Sequence, residues 1–274
     1  MGIAEAEHEK SEELIYMSII GRPNAGKSTL VNNILGQDRV LVSEHAGTTR
    51  DAIYERFEYE DKKFCIIDTA GIRRKVKVKE EIEQLSVSYA FSAIKNSNIA
   101  VLMIDSLNLL DRQDLKIASM VIEQGRALII AINKMDMIAR QHLDEFKQTT
   151  IKQIYTKIPS AEVIFISATH NAASKKVLET ISSIHNRAIK KISTPALNKW
   201  LKKATSIHKP PYGVSLKYAV HTGIFPSVIK IFCNKSSASL NSYEKYLKNS
   251  FIKEFLLQGV IVNIIFVPKS NNKE

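Results

Sequence analysis

The residues of this chain whose types and spacing indicate chemistry most clearly form the run Gly21-Arg22-Pro23-Asn24-Ala25-Gly26-Lys27-Ser28. They fit the spacing G-x-x-x-x-G-K-[ST], in which backbone N–H groups and a helix N-terminus surround an anion. Lys27 is then placed to reach the β- and γ-phosphates of a nucleotide, and the Ser28 hydroxyl is placed to ligate magnesium. The pattern predicts a phosphate-binding loop that leads into a helix containing Thr29.

A second motif, Asp68-Thr69-Ala70-Gly71, directly follows a short apolar run about forty residues after the phosphate loop. An aspartate at the end of a strand holds magnesium directly or through water, and the Gly71 N–H contacts the γ-phosphate. Between the two motifs, Thr49 is favoured over Thr48 as a threonine that closes over magnesium when the γ-phosphate is present. We therefore expect the metal to be held by Ser28, Thr49 and Asp68.

The residues Asn133-Lys134-Met135-Asp136 indicate which base is bound. The Asp136 carboxylate can accept hydrogen bonds from the N1–H and N2–H₂ groups of guanine, which adenine lacks. Asn133 is expected to tie this loop to the phosphate loop, and the stem of Lys134 to pack over the purine ring. In Ser167-Ala168-Thr169, the alanine N–H is placed to bond guanine O6. The set predicts GTP and GDP as ligands.

Ile72 stands just after Gly71, where many GTPases carry a glutamine that orients the attacking water. An isoleucine side chain cannot hydrogen-bond water, so help with the attack must come from elsewhere. We expect Asn24 to help hold a potassium ion whose charge stabilises the transition state, with Lys27, Thr49 and Gly71 as the other catalytic residues. The alternative is that Asn24 only shapes the loop.

These motifs fall at strand ends in a chain of alternating strands and helices, which predicts an α/β domain with a mostly parallel sheet. Ligands bind at the carboxyl ends of the strands in such folds. The predicted strands are Tyr16–Ile20, Ala52–Tyr59, Lys63–Ile67, Ile99–Ile104, Ala127–Ile132 and Val163–Ile166. The predicted helices are Lys27–Leu35, Glu81–Lys95, Arg112–Gln124, Leu143–Lys157 and Ala173–Ile189.

The pattern changes near residue 192, where Pro195 fits the first turn of a helix that runs toward Ala204. Later elements are predicted at Ser215–His221, Val228–Phe232, Leu240–Leu256 and Ile261–Val267, the third of them a helix and the others strands. We therefore expect an acidic, linker-like segment at 1–13, a GTPase domain at 14–192 and a small α+β module at 193–274.

Charge is distributed unevenly along the 274 residues, whose formal net charge is +11. Residues 191–274 contain thirteen lysines, no arginine and three acidic residues, a balance of +10. Such a basic segment indicates a polyanion partner, usually nucleic acid, although compositional bias toward lysine is an alternative. The chain has two cysteines, Cys65 and Cys233, which suits a reducing cytosol. The sequence contains no run of about 18 apolar residues, so we predict no membrane-spanning helix. We expect a cytoplasmic protein without a membrane partner.

The chain resembles the Der (EngA) family of GTPases, over the second GTPase domain and the KH-like domain that follows it. The resemblance is carried by residues 21–30, 47–51, 68–75 and 133–136 and by Lys217-Tyr218-Ala219. It implies GTP hydrolysis with magnesium, and potassium held by Asn24 and by carbonyls near Ser43 and His45. It also implies a role in assembling the large ribosomal subunit, with rRNA and not DNA as partner. Family members carry two GTPase domains in tandem, so another is expected in the full-length protein.

Other functions stay open. Era-like GTPases also join one GTPase domain to a KH domain, but that KH domain requires a G-x-x-G clamp on RNA, and the only glycines after Lys191 are Gly213, Gly223 and Gly259. A tRNA-modifying GTPase shares the 47–51 loop but ends in a cysteine motif, which residues 271–274 do not contain. A non-catalytic rRNA- or ribosome-binding module would use nucleotide only to fix its shape.

Overall fold

The structure, a computed structural model, describes residues 14–36, 54–67, 90–234 and 240–268. Strands in these ranges form two sheets, one of six strands and one of three. The first sheet contains β1 (Ile15–Ile20), β2 (Tyr54–Tyr59), β3 (Lys62–Ile67), β4 (Ile99–Asp105), β5 (Ala127–Asn133) and β6 (Glu162–Phe165). The second contains β7 (Leu216–Ile224), β8 (Ser227–Cys233) and β9 (Val262–Pro268).

The first sheet is built around strands that are apolar along almost their whole length. All seven residues of β5 are buried, as are six of the seven residues of β4. Continuous apolar strands of this kind fit the centre of a parallel sheet that is covered on both faces. The strand order is β2-β3-β1-β4-β5-β6, and β2 alone runs antiparallel to its neighbour. The predicted α/β fold with a mostly parallel sheet is therefore confirmed.

Helices cover both faces of the first sheet. The helices in the described residues are α1 (Lys27–Leu35), α2 (Arg112–Glu123), α3 (Leu143–Lys157), α4 (Asn171–Ile189), α5 (Thr194–Ile207) and α6 (Asn241–Glu254). Apolar residues of α1 and α4 pack on one face, and those of α2 and α3 pack on the other, together with the helical residues 90–96. None of the helices within the described ranges is long and apolar enough to cross a membrane.

Helices α1 and α3 have the predicted bounds, and most other elements differ from the predicted bounds by one to three residues. Some are longer than predicted, α2 and α6 are shorter, and β6 and β9 are shifted by one residue. Strands β4 and β5 each continue one residue further than predicted, because Asp105 and Asn133 are still paired in the parallel ladder. Strand β7 continues to Ile224, because only two residues join it to β8. Residues 52–53 and 81–89, which belong to a predicted strand and a predicted helix, lie outside the described residues.

The second sheet has the order β7-β8-β9, and α5 and α6 pack against one of its faces. The indole ring of Trp200 in α5 is 2% exposed and meets Phe251 of α6 edge-on, with ring centroids 5.0 Å apart. Its Nε1 donates a hydrogen bond to the Ser250 hydroxyl at 3.1 Å, so the polar atom of this core residue is satisfied. Trp200 is thus a core residue of the second sheet and its helices.

The second sheet is joined to the first through the loop before β9. The Gly259 N–H donates to the Ser160 carbonyl at 2.9 Å, and its carbonyl accepts from the Leu128 N–H, also at 2.9 Å. At Gly259 φ is 85°, a backbone conformation that favours glycine, and a Cβ there would lie 2.7 Å from Cδ1 of Ile184 in α4. Leu128 lies near the amino end of β5, whereas the motifs predicted from sequence follow the carboxyl ends of the strands. The joint therefore lies at the opposite edge of the first sheet from those motifs.

Candidate nucleotide-binding site

The loop between β1 and α1 is shaped by two glycines whose positions admit no side chain. At Gly21, where φ is 139°, a Cβ would lie 2.4 Å from the carbonyl oxygen of Met103 in β4. At Gly26, where φ is 98°, a Cβ would lie 2.2 Å from Nδ2 of Asn133 in β5. Both distances are far inside van der Waals contact. The loop lies this close to β4 and β5 only because both residues are glycine.

Polar groups of the loop gather at the start of α1. Lys27 Nζ donates to the Arg22 carbonyl oxygen at 2.5 Å, which holds the ammonium group over the loop. Ser28 lies half-buried in the first turn of α1. Asn24 is exposed and has a φ of 63°, in the left-handed region that asparagine adopts more readily than most residues. This backbone conformation gives Asn24 a role in shaping the loop, which is compatible with a second role as a cation ligand.

Asn133, the last residue of β5, joins the phosphate loop to the loop after β6. Its side chain is buried, with 2% of the residue exposed. Nδ2 donates to the Ala25 carbonyl oxygen at 2.8 Å, and Oδ1 accepts from the Ala168 N–H at 2.8 Å. One amide group therefore fixes the relative positions of three segments that are far apart in sequence.

The two loops predicted to surround a base are also bonded to each other. The Asp136 N–H donates to the Ser167 hydroxyl at 3.1 Å, and the Met135 N–H donates to the Ile166 carbonyl at 3.2 Å. Asp136 itself is exposed at the carboxyl edge of the sheet. The Ala168 N–H, predicted to reach guanine O6, is already bonded to Asn133, so a bond to O6 would have to share or replace that interaction.

Lys134 is anchored by two residues that the sequence did not suggest. Its Nζ lies 2.6 Å from Oδ2 of Asp105, the last residue of β4, and its carbonyl accepts from the Ser106 hydroxyl at 3.0 Å. Burial acts to raise the pKa of Asp105, but the hydrogen bonds from Lys134 and from the Leu107 N–H outweigh burial and hold the pKa below its usual value. Asp105 is therefore a carboxylate at neutral pH and fixes the ammonium end of Lys134, whose side chain is half-buried.

Two family models match the chain. One, described as a 50S ribosome-binding GTPase, matches residues 16–134. The other, described as the C-terminal KH-domain-like region of EngA bacterial GTPase enzymes, matches residues 191–266. The chain belongs to the Der (EngA) family.

Curated relatives of this Der-family chain carry the name GTPase Der. Those from Fusobacterium nucleatum, Legionella pneumophila and Neisseria meningitidis are 38%, 37% and 38% identical to it, over 96%, 98% and 98% of the chain. The matches cover 61%, 59% and 56% of those relatives, so the chain spans about three fifths of their length. Among solved structures, Era in complex with MgGDPNP and nucleotides 1506-1542 of 16S ribosomal RNA has a TM-score of 0.49 and 21% identity, over 93% of this chain and 94% of that chain.

The side chain of Arg22 is engaged by the start of α2. Its Nε lies 3.0 Å from Oδ1 of Asp114, whose side chain is fully buried, and its Nη1 lies 3.1 Å from Oδ2 of Asp111. Nη2 donates to the Asn108 carbonyl at 2.5 Å. Asp111 and Asp114 form a capping box that starts α2, and Asp114 also accepts from the Asp111 N–H at 3.1 Å. Arg22 therefore clamps the phosphate loop to a helix, and only its backbone is left to face a phosphate.

This clamp is a part of the site that the sequence did not predict. The spacing Asp111-x-x-Asp114 before an apolar-periodic segment is a recognisable helix-start signal. Nothing in the sequence connects it to Arg22, which is 92 residues away from Asp114. Several predicted site residues lie outside the described residues, and their roles stay predictions: Thr48, Thr49, Asp68, Thr69, Ala70, Gly71 and Ile72.

We predict that Arg22→Ala lowers the free energy of unfolding by about 3 kcal/mol, because it leaves the Asp114 carboxylate buried without its partner. Arg22→Lys keeps the charge but not the fork of donors, and should cost less. The double variant Arg22→Ala/Asp114→Asn removes the unpaired charge and should recover part of the loss. Denaturant unfolding of the four proteins measures this, and equal stability of wild type and Arg22→Ala would contradict the clamp.

The same variant should respond to pH in a defined direction. Burial raises the pKa of Asp114, and Arg22 acts against this rise. Without Arg22 the pKa of Asp114 in the folded state should rise further above its value in the unfolded state. A group of this kind stabilises the folded state at low pH, where it is protonated, and this stabilisation is lost as the pH rises through the folded-state pKa. The stability deficit of Arg22→Ala should therefore shrink as the pH falls from neutral toward the ordinary titration range of a carboxyl group. A deficit that grows on acidification would exclude this origin.

Proposed function

We propose that the chain binds GTP and hydrolyses it to GDP and phosphate, as a nucleotide-controlled switch in assembly of the large ribosomal subunit. The observation that carries the nucleotide part is the Asn133 amide, which holds the phosphate loop and the 167–168 loop together. This places a glycine-lined helix N-terminus and the exposed Asp136 at one edge of the sheet, as a guanine nucleotide requires. The Der relatives, each named a GTPase, support the reaction.

In this proposal the residues of the phosphate loop act by electrostatics. The backbone N–H groups from Asn24 to Ser28 donate hydrogen bonds to phosphate oxygens. Lys27 leaves its hydrogen bond to the Arg22 carbonyl and binds the β- and γ-phosphates instead. Asp136 receives the guanine N1–H and N2–H₂ groups, and the stem of Lys134 covers the ring. Thr49, Asp68 and the Gly71 N–H complete the site from residues outside the described ranges.

Magnesium fits the part of the proposed metal site that lies within the described residues. The Ser28 hydroxyl is a hard oxygen donor in the first turn of α1, and the described part of the chain holds no group of three or more His, Cys, Asp or Glu that could bind a metal by itself. Magnesium is suited to such a site, because it takes few protein ligands and keeps water and phosphate oxygens as the others. Bound there with Thr49 and Asp68, it would neutralise charge that develops on the phosphates.

The rRNA and ribosome part of the proposal is supported by charge and family. Residues 191–274 carry a balance of +10, and the family description of residues 16–134 is that of a 50S ribosome-binding GTPase. We also propose the division into a GTPase domain at 14–192 and a KH-like domain at 193–274, because α5 is the first helix that packs on the second sheet. The site of action is the cytoplasm, where ribosomes assemble.

The choice of guanine is tested by Asp136→Asn. Xanthine carries a carbonyl oxygen where guanine carries N2–H₂, so an asparagine amide can donate to it. Asparagine keeps one oxygen that can accept from N1–H, but it loses the negative charge and turns N–H donors toward N2–H₂, so GDP binding should weaken roughly 100-fold or more, while binding of xanthosine diphosphate improves. Asp144→Asn is the matched control, because Asp144 is 93% exposed on α3. If Asp136→Asn and Asp144→Asn kept the same preference for GDP, the assignment of Asp136 would be wrong.

The potassium role of Asn24 is tested by Asn24→Gly. Glycine adopts the left-handed backbone at this position without strain and removes the whole side chain, including the oxygen that would ligate the cation. We expect wild-type GTP hydrolysis to be faster in potassium than in sodium, and the ratio of the two rates to fall to about one in the variant. Nucleotide affinity is measured in parallel to separate binding from hydrolysis. Equal wild-type rates in the two salts, or an unchanged ratio in Asn24→Gly, would refute the role.

A further inference from the structure

One face of the second sheet carries no helix in the described part of the chain. Helices α5 and α6 cover the other face, whose side chains Ala219, Ile229, Ile231 and Ile264 are buried. Alternate residues of the three strands point away from these helices and are half-buried or exposed. We call them the open sheet face, and they are Tyr218, Val220, Val228, Lys230, Phe232, Asn263, Ile265 and Val267.

Two aromatic rings stack on the open sheet face. Tyr218 of β7 and Phe232 of β8 are directly paired across the strands, and their rings lie 4.4 Å apart at an interplanar angle of 14°. Strand β7 is the edge of its sheet, so no strand of the described residues lies on the other side of Tyr218. Tyr218 is 43% exposed. A planar group can therefore continue the stack on the solvent side of this pair.

The charge of the open sheet face has one sign. Lys230 is exposed near its centre and is paired across the strands with Val220 on one side and Ile265 on the other. The three strands contain no aspartate or glutamate. Ile265 is 45% exposed and extends the apolar surface next to the lysine. The face thus combines an aromatic platform, an apolar floor and an unopposed positive charge.

No helix of the described residues covers this platform. The opposite end of the β7–β8 hairpin lies against the first sheet's layer, where a Cβ at Gly125, in the turn after α2, would lie 2.7 Å from Cδ of Pro226 and Phe225 stacks on His185 of α4. Tyr218 and Phe232 lie at the far end of the hairpin, about six residues or roughly 20 Å away from Pro226. The module also lacks the G-x-x-G sequence with which KH domains clamp the RNA backbone. Recognition of RNA by this module therefore requires another surface.

We propose that the open sheet face binds single-stranded RNA, with a base stacked on Tyr218 and a phosphate bound by Lys230. The proposal rests on the proposed rRNA-binding function and assigns it a surface. A single strand is favoured over a duplex because only unpaired bases expose their faces to an aromatic ring. The carboxylates of a strongly acidic protein could pair with the lysine equally well, but a carboxylate does not stack on aromatic rings.

The experiment measures binding of the full chain to a fluorescent single-stranded RNA of about 12 nucleotides and to a hairpin duplex, at several salt concentrations. Tyr218→Ala should weaken single-strand binding about ten-fold, and Tyr218→Phe, which keeps the ring, should bind like wild type. Lys230→Glu should weaken binding and reduce the dependence of log K on log salt by about 0.7 for each phosphate that the variant no longer neutralises. The matched controls are Tyr212→Ala, an aromatic residue that is fully exposed before β7, and Lys202→Glu, an exposed lysine on α5.

The outcomes separate this inference from the function on which it rests. A wild-type chain that binds no RNA would refute the rRNA function itself. Wild-type binding that Tyr218→Ala and Tyr212→Ala reduce equally would overturn the assignment to the open sheet face, as would a loss caused by Lys230→Glu alone. Preference for the hairpin would overturn the single-strand assignment. Affinity for GDP, measured on every variant, shows that the first domain is still folded.

Discussion

The candidate site depends on one buried amide. Asn133 uses both polar atoms of its side chain, one toward the phosphate loop and one toward the loop after β6, and it is shielded from water. A buried side-chain amide is compatible with a stable fold when its oxygen and its nitrogen both have hydrogen-bond partners. Removing one side of such a hydrogen bond leaves a buried polar group unsatisfied, at a cost of about 1–3 kcal/mol. The constraint extends to Gly26, because any side chain there would overlap the Asn133 amide. The second glycine of the phosphate motif is thus required by Asn133 as well as by the anion.

Strand β5 runs from the candidate nucleotide-binding site at its carboxyl end to the contact with the second sheet's module near its amino end. Asn133 at its carboxyl end organises the nucleotide edge, and Leu128 near its amino end is bonded to Gly259 of the second module. All seven residues of β5 are buried, so the strand is held rigidly between these two ends. The basic module is therefore attached to the end of the sheet that faces away from the candidate nucleotide-binding site.

The sequence predicted the features that depend on local pattern. The bounds of α1 and α3, the parallel sheet and the clustering of motifs at strand ends follow from periodicity and from residues near one another in the chain. The features it missed depend on interactions between distant residues. Arg22 meets Asp114, and Lys134 meets Asp105, only because β1, β4 and β5 are neighbours in the sheet. Likewise, Tyr218 and Phe232 stack because of the register of β7 and β8, which a shift of one residue would abolish.

The role of Asn133 is tested most directly by comparing the GDP affinity of Asn133→Ala with that of Asn98→Ala. Asn98 also accepts a backbone hydrogen bond through its side chain, from the Tyr16 N–H at 3.2 Å, but at the amino edge of the sheet. If the Asn133 amide holds the site together, its loss should weaken GDP binding by roughly 100-fold, since two buried hydrogen bonds are removed. Asn98→Ala should lower stability and leave GDP affinity unchanged. Equal GDP affinity for Asn133→Ala and wild type would contradict the account.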